Sequence, residues 1–202
     1  MADTQTIPSE AYWAQKTGAF MRETISEIEA APAPVMIAAA KIDFAHFAQL
    51  GPDIIDDITN SGKIDRDRCI YVIGLDDEAD DDEINEAFRY AKANLRFALP
   101  KHNKRSSRTL YVGSSCATGK RTNTLRTRLR QHLLGTSKVT SALSLAKWTS
   151  NLPGGISLTV WQYPSFGEGE EADRSARRVV LAVEDWLSHT LQPMLGRRGS
   201  QN

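Results

Sequence analysis

Cys69-Ile-Tyr-Val-Ile73 is a short run of β-branched and aromatic residues, and Thr109-Leu-Tyr-Val112 is a second one. These two runs are the main basis for predicting the fold of this chain of 202 residues. Each run has a tyrosine near its centre and is bounded by residues that favour turns, which is typical of a buried β-strand. A third run, residues 156–163, follows a Pro-Gly-Gly turn and alternates in hydropathy. These runs predict three strands with helices between and after them.

Helices are predicted where apolar residues recur at helical spacing between capping residues and helix breakers. An acidic loop leads into the first of these helices, and Pro100 ends it. Gly135 ends the second, and Pro193 follows the last. The predicted helices of this part of the chain cover residues 82–98, 123–134, 139–148 and 172–191.

Residues 1–66 are expected to form a helical appendage to a domain that covers residues 67–202. A helix that begins near Glu10 ends at the prolines of Ala30-Ala-Pro-Ala-Pro34, because proline cannot donate a backbone hydrogen bond. Further helices are predicted over residues 35–49 and 53–59. This part carries no recognisable chemistry, so we expect it to pack on the core or to bind a second copy of the chain or a partner protein.

The distribution of charge along the chain points to an anionic partner. Lys and Arg together number 25, as do Asp and Glu, so the net charge is zero. Residues 101–167 nevertheless contain 11 basic and no acidic residues, whereas residues 1–100 contain 9 basic and 19 acidic ones. Such a separation favours a surface that binds an anion, most commonly nucleic acid. The alternative is a solvated basic face that pairs with the acidic segment within the fold.

Composition also excludes several classes of protein. The longest apolar run, residues 35–40, is far shorter than the roughly 18 residues of a membrane span. The chain begins without the basic and apolar regions of a signal peptide. Its two cysteines, Cys69 and Cys116, are too few for a disulfide framework or a cysteine-rich zinc site. A cytoplasmic protein with no membrane partner is therefore expected.

The predicted helix over residues 123–134 carries an arginine and a histidine that can act together. Its apolar side is a seam of leucines four residues apart, Leu125, Leu129 and Leu133. Arg128 and His132 are also four apart, so they project next to each other beside this seam. The pair can bind a phosphodiester, because a guanidinium contacts two oxygens at once. The alternatives are an ordinary basic helix and a helix-turn-helix completed by residues 139–148.

Glu184 and two tyrosines complete the candidate residues. Glu184 lies on a helix face that is otherwise apolar, formed by Val180, Leu187 and Leu191. A buried carboxylate needs a partner, which is either an arginine (Arg128 or Arg178) or a hard divalent cation such as Mg²⁺. Tyr71 and Tyr111 either pack in the core or, near an arginine and a metal ion, lose a proton and activate water.

Taken in order, these motifs resemble those of the GIY-YIG nuclease family. Cys69-Ile-Tyr71 stands where that family has Gly-Ile-Tyr, and Tyr111-Val-Gly113 resembles its Tyr-Ile/Val-Gly. Arg128 resembles the family's invariant arginine, and His132 matches a histidine of several members. Glu184, with a proline nine residues later, resembles the metal-binding glutamate of the excision-repair branch. The resemblance covers most of the chain after residue 67.

The resemblance implies an α+β, sandwich-like fold with a small, three-stranded, mainly antiparallel sheet flanked by helices. It also implies a metal-dependent endonuclease that hydrolyses phosphodiester bonds of nucleic acid, with DNA as the expected substrate. Its catalytic residues would be Tyr71, Tyr111, Arg128, His132 and Glu184. Glu184 would hold one Mg²⁺ or Mn²⁺ ion, Arg128 would neutralise charge on the phosphate, and Tyr111, assisted by Tyr71 or His132, would be the general base.

The chain departs from the family pattern at three places. Cys69 replaces a glycine, and Gly196 stands where the family has a closing asparagine. About forty residues separate the two tyrosine motifs, so the acidic helix is an insertion at about residues 76–100.

Seven basic residues are expected to bind the phosphates that flank the scissile one: Lys104, Arg105, Lys120, Arg121, Arg126, Arg130 and Lys138. Contacts of this kind make binding salt-dependent and largely independent of base sequence. Two alternatives to the enzyme remain open at this point. One is a catalytically silent nucleic-acid-binding module on the same fold, and the other is a helix-turn-helix regulator.

Overall fold

A four-stranded antiparallel sheet forms the centre of the protein in its computed structural model. The structure describes residues 10–60, 68–95, 98–103, 107–116, 124–137 and 141–196, without the side chains of residues 10–13 and 60. The strands are β1 (Val35–Asp43), β2 (Arg68–Leu75), β3 (Thr109–Cys116) and β4 (Gly155–Gln162). Their order is β1-β4-β2-β3, so β2 is internal and β3 lies at an edge.

In the described part of the chain, five helices accompany the sheet, so the fold is α+β: α1 (Glu10–Ala30), α2 (Phe47–Asn60), α3 (Asp81–Asn94), α4 (Leu125–Leu129) and α5 (Glu170–Leu191). α4 continues directly into a π-helical turn, Arg130–Leu134, which ends at Gly135 with a φ of 67°. None of the helices that the structure describes is both long enough and apolar enough to cross a membrane.

The sheet separates two apolar layers because the residues along each strand alternate between its faces. On one face, Ile70 of β2 packs with Val179 and Val180 of α5. On the other face, Tyr71 of β2 lies in the larger core, to which α2, α3 and α4 contribute Ile55, Phe88 and Leu129. The two faces of β2 and β3 therefore meet different helices.

The sheet has four strands where the sequence predicts three, and the additional strand is β1. The helix predicted over residues 35–49 is wrong, because residues 35–43 pair with β4. Three consecutive alanines at 38–40 favour a helix, but hydrogen bonds to a neighbouring strand override that local preference. The boundary at residue 66 stays a prediction, although Ile42 and Phe47 belong to the same core as the strands after it.

Apart from the segment that forms β1, the predicted helices agree with the structure except at residues 139–148. α1, α3 and α5 lie within a few residues of the predicted segments, and the Asp80 side chain caps α3 by accepting from two backbone amides. α2 is longer than the predicted 53–59 segment. The helix predicted over residues 139–148 is wrong, since residues 141–144 are not helical and Leu145–Lys147 form a single 3-10 turn.

Candidate active site

Tyr71 and Tyr111 lie side by side on the face of the sheet that α4 covers. Tyr71 of β2 stands opposite Gly113 of β3, and Tyr111 precedes Gly113 by two residues, so all three share one face. The two rings stack with their centroids 6.3 Å apart. Gly113 leaves the space for this contact, since a Cβ there would lie 2.5 Å from the Tyr71 hydroxyl and 2.7 Å from the Tyr111 ring.

α4 and the π-helical turn bring Arg128 and His132 to these tyrosines. The predicted leucine seam is confirmed, because its members are fully buried: Leu125, Leu129 and Leu133. The His132 ring lies 4.5 Å from the ring of Tyr111 and 5.8 Å from that of Tyr71, measured between centroids. The seam thus anchors the helix so that its neighbouring polar residues face the two strands.

A backbone contact determines which nitrogen of His132 carries the proton. The Leu143 amide donates to Nδ1 of His132 at 3.2 Å, so Nδ1 is unprotonated and the hydrogen lies on Nε2. Burial, together with the charge of Arg128, lowers the pKa of His132 to about 3. Nε2 has no hydrogen-bond partner among the described residues. At neutral pH, His132 is therefore an uncharged ring that can offer one N–H to a ligand.

Arg128 places a positive charge against both tyrosines. Burial acts to lower the pKa of its guanidinium, but Tyr71, Tyr111 and Glu184 raise that pKa by more. Burial, followed by Tyr111, raises the pKa of Tyr71 above its usual range, and Arg128 opposes this shift in part. The Tyr71 hydroxyl interacts with the Arg128 charge but has no hydrogen bond of ordinary geometry within the described part of the chain. Tyr71, Tyr111, Arg128 and His132 form what is called the tyrosine cluster below.

Glu184 of α5 approaches the tyrosine cluster from the other face of β3. Ser114 points away from the tyrosines, because it follows Gly113 along the strand, and its hydroxyl donates a 2.5 Å hydrogen bond to Oε2 of Glu184. Glu184 is only 9% exposed. Within the described residues, it forms no ion pair with a lysine or arginine. Its charge nevertheless acts on the pKa of Tyr71 and of Arg128.

Arg178, one of the two arginines predicted as a partner of Glu184, belongs to a different cluster between α1 and α5. Its guanidinium pairs with Glu27, and it lies 3.2 Å from a carboxylate oxygen of Glu23 and 3.3 Å from one of Glu171. These three carboxylates are close enough together to hold a metal ion, but Arg178 already pairs with them and offsets one of their three charges. This group of four residues is called the Arg178 cluster below.

Two of the seven predicted phosphate-binding residues lie in the described part of the chain. Arg126 pairs with Asp56 of α2 at 2.8 Å, and Arg130 is half-buried at the start of the π-helical turn. The remaining five lie outside the described residues: Lys104, Arg105, Lys120, Arg121 and Lys138. Phosphate binding by this set stays a prediction, and at Arg126 a phosphate would compete with a carboxylate.

The segment after α5 closes one side of the tyrosine cluster. Asn103 is buried and donates through Nδ2 to the carbonyl of Pro193 at 2.8 Å, which fastens this segment beside β3. Gly196 has a φ of 93° and lies against Tyr111, so that a Cβ there would be 2.7 Å from the ring. An asparagine at position 196 would displace Tyr111, which gives this departure from the family pattern a steric reason.

Ser114, Leu143 and Asn103 shape the site but are missed by the sequence analysis. Ser114 has a weak signal, since its place directly after Gly113 puts it on the opposite face from the tyrosines. Leu143 acts through its backbone amide, for which a side-chain pattern gives no signal. Asn103 lies in a loop, and its contact to Pro193 joins residues that are 90 positions apart.

The arrangement combines donors for an anion with a carboxylate suited to a cation. Arg128 can donate to phosphate oxygens, whereas the Nε2–H of His132 is buried beside it. Glu184 accepts a hydrogen bond from a neutral hydroxyl and forms no ion pair within the described residues. Carboxylate oxygens are the protein ligands that Mg²⁺ and Mn²⁺ prefer. The residues present therefore fit one such ion at Glu184.

Comparisons with known proteins do not assign a family to this chain. It matches no protein-family model, no curated protein and no solved structure. The resemblance to GIY-YIG nucleases accordingly depends on the motifs, and the function must be argued from the geometry of the site itself.

Proposed function

We propose that this protein is a metal-dependent endonuclease of the GIY-YIG type that hydrolyses phosphodiester bonds of nucleic acid, with DNA as the expected substrate. The observation that carries the proposal is that the tyrosine cluster packs on one face of β3 while the Glu184 carboxylate, on the other face of this edge strand, interacts electrostatically with Arg128. Four separate elements supply these side chains. Buried ionisable groups are costly for folding, and their concentration at one place is typical of a catalytic site.

Arg128 and His132 would bind the scissile phosphate. The Arg128 guanidinium would neutralise the charge that grows on the phosphoryl oxygens as water attacks. The Nε2–H of His132 is unpartnered within the described residues and would donate to the same group. His132 is not our candidate for the base, because Leu143 donates to its Nδ1 and its Nε2 already carries a proton.

Tyr111 is the proposed general base. Burial raises the pKa of Tyr71, so that hydroxyl keeps its proton and would act as a donor. Tyr111 interacts electrostatically with the Arg128 guanidinium, which places a positive charge beside its hydroxyl. The Tyr111 oxygen would take a proton from the attacking water, while the phosphorus bond to the leaving oxygen breaks. Glu184 would hold one Mg²⁺ or Mn²⁺ ion, which when bound supplies positive charge to the phosphate and the leaving oxygen.

Plasmid nicking with Mg²⁺ or Mn²⁺ tests the proposal when the wild type is compared with Glu184→Gln. The variant keeps the shape of the side chain but loses its charge, so cleavage should fall on the order of a hundredfold or more while DNA binding persists. Glu171→Gln, which changes an exposed glutamate of the same helix, should cleave like the wild type. Absence of cleavage by the wild type, or equal cleavage by Glu184→Gln, would contradict the proposal.

The second candidate is a catalytically silent nucleic-acid-binding module. It is favoured by one observation: Tyr71 and His132 are both poor proton acceptors at neutral pH. DNA binding without cleavage in the assay above would support this candidate. A helix-turn-helix regulator has less support, because residues 141–148 contain a single 3-10 turn where the second helix is required.

A further inference from the structure

Ser114 lies on β3 at the point where the strand passes between the tyrosine cluster and α5. Its neighbours Gly113 and Ser115 share the face of the tyrosines, whereas Ser114 stands opposite Ile70 on the face that α5 covers. From there its hydroxyl donates to Oε2 of Glu184 at 2.5 Å. The contact links the edge strand directly to the carboxylate that the proposed function assigns to the metal ion.

The chemistry of this contact differs from that of an ion pair. A serine hydroxyl has one hydrogen to donate, so it fixes one carboxylate oxygen and leaves Oε1 available. The donor is neutral and adds no positive charge to compete with a cation. An arginine at the same place would occupy both oxygens and cancel their charge, as Arg178 does for Glu27.

We propose that Ser114 is a positioning residue that orients Glu184 for a divalent cation through the hydrogen bond from its hydroxyl to Oε2. The inference depends on the proposed function, because it takes Glu184 as the metal ligand. Hydrogen-bonding groups behind metal ligands commonly contribute tenfold to hundredfold in metal affinity. Ser114 should therefore affect binding of the ion more than the reaction that follows.

Mn²⁺ binding to the protein alone, followed by electron paramagnetic resonance, tests this role without reference to cleavage. Ser114→Ala should weaken Mn²⁺ binding about tenfold. If Ser114→Ala fails to fold, Ser114→Thr and Ser114→Val test the same hydroxyl. Threonine and valine have nearly the same shape, and both favour β-strands. Threonine keeps the hydroxyl and should bind Mn²⁺ within about threefold of the wild type, whereas valine should bind it like Ser114→Ala.

Ser115→Ala is the matched control, since it removes the hydroxyl of the next residue, on the face opposite to Glu184. It should leave Mn²⁺ affinity unchanged. Equal Mn²⁺ affinity of Ser114→Val and Ser114→Thr would overturn the positioning role, as would equal weakening by Ser115→Ala. A wild type that cleaves DNA while Ser114→Val binds Mn²⁺ normally would overturn this inference and leave the proposed function intact. A wild type that binds no Mn²⁺ would overturn the inference together with the metal site.

Discussion

α5 makes two carboxylate contacts of different kinds, one through an arginine and one through a serine hydroxyl. In its first half, Arg178 lies among Glu23, Glu27 and Glu171, and the hydrogen bond from this arginine is the main cause that lowers the pKa of Glu27. In its second half, Glu184 is more buried, yet within the described residues it has a neutral hydroxyl and no ion pair. The first contact joins two helices, whereas the second leaves a charge for a ligand.

The number of carboxylates at a place in the structure does not by itself identify a metal site. The Arg178 cluster has three acidic groups within reach of one another, but each of them already pairs with Arg178. Glu184 is a single carboxylate that interacts with the charge of Arg128 but forms no ion pair with the protein residues described. Direct ion pairing, rather than the proximity of carboxylates, therefore distinguishes the structural cluster from the candidate site.

Two glycine substitutions, one beside the tyrosine cluster and one on α1, give the largest expected difference in stability. Gly113→Ala would place a methyl group 2.5 Å from the Tyr71 hydroxyl, so we expect the free energy of unfolding to fall by about 2 kcal/mol or more. Gly18→Ala lies on α1, where a Cβ would meet Arg22 at an ordinary 3.5 Å. It should raise the free energy of unfolding by about 0.5–1 kcal/mol, because alanine favours a helix. Urea denaturation measures both, and equal effects would mean that Gly113 is not sterically required.

Acid should destabilise the tyrosine cluster before it affects the Arg178 cluster. His132 has a pKa of about 3 in the folded protein against an ordinary 6.5, so below pH 6.5 the unfolded chain binds a proton that the folded chain does not. Stability is therefore lost as the pH falls, by about 2 kcal/mol between pH 7 and pH 5. Glu27 has a lowered pKa, so its contribution is lost only below the ordinary 4.5.

Unfolding by urea at pH 7, 6 and 5 measures this loss. The His132→Gln variant should show a shallower dependence on pH than the wild type, because it removes the group that titrates. His189→Asn, at an exposed position of α5, should keep the dependence of the wild type. If His132→Gln and the wild type lost stability in parallel, the burial of a neutral His132 would not be the cause.

The elements that build the site were accessible to sequence reasoning because their signals are local. The tyrosine runs predict β2 and β3, and the i, i+4 spacing puts Arg128 beside His132 on one helix. Glu184 is a charged residue on a helix face that is otherwise apolar, and the sequence pattern is sufficient to single it out. The structure packs Tyr71, Tyr111 and His132 together on one face of β3, whereas no local signal specifies that Gly113 must leave space for the two tyrosine rings.

The features that the sequence did not reveal depend on contacts between distant residues. β1 is rich in alanine, and its strand conformation comes from pairing with β4, more than a hundred residues later. The proton position on His132 depends on a backbone amide in a segment expected to be helical. Spacing left Arg178 open as one possible partner of Glu184, because it gives no sign that Arg178 pairs instead with Glu27 of α1.

The smallest expected effect concerns the ion pair that joins α1 to α5. Glu27→Gln removes the charge but keeps an acceptor for Ser175, whose hydroxyl donates to Glu27 at 2.7 Å. The pair is partly exposed to solvent, so the expected loss in the free energy of unfolding is at most about 1 kcal/mol. The loss should shrink as salt is raised from about 0.05 M to 1 M, because ions screen exposed charges. A loss independent of salt would mean that packing, and not the ion pair, holds α1 on α5. The difference in ion pairing between the two contacts of α5 would then have no effect on stability.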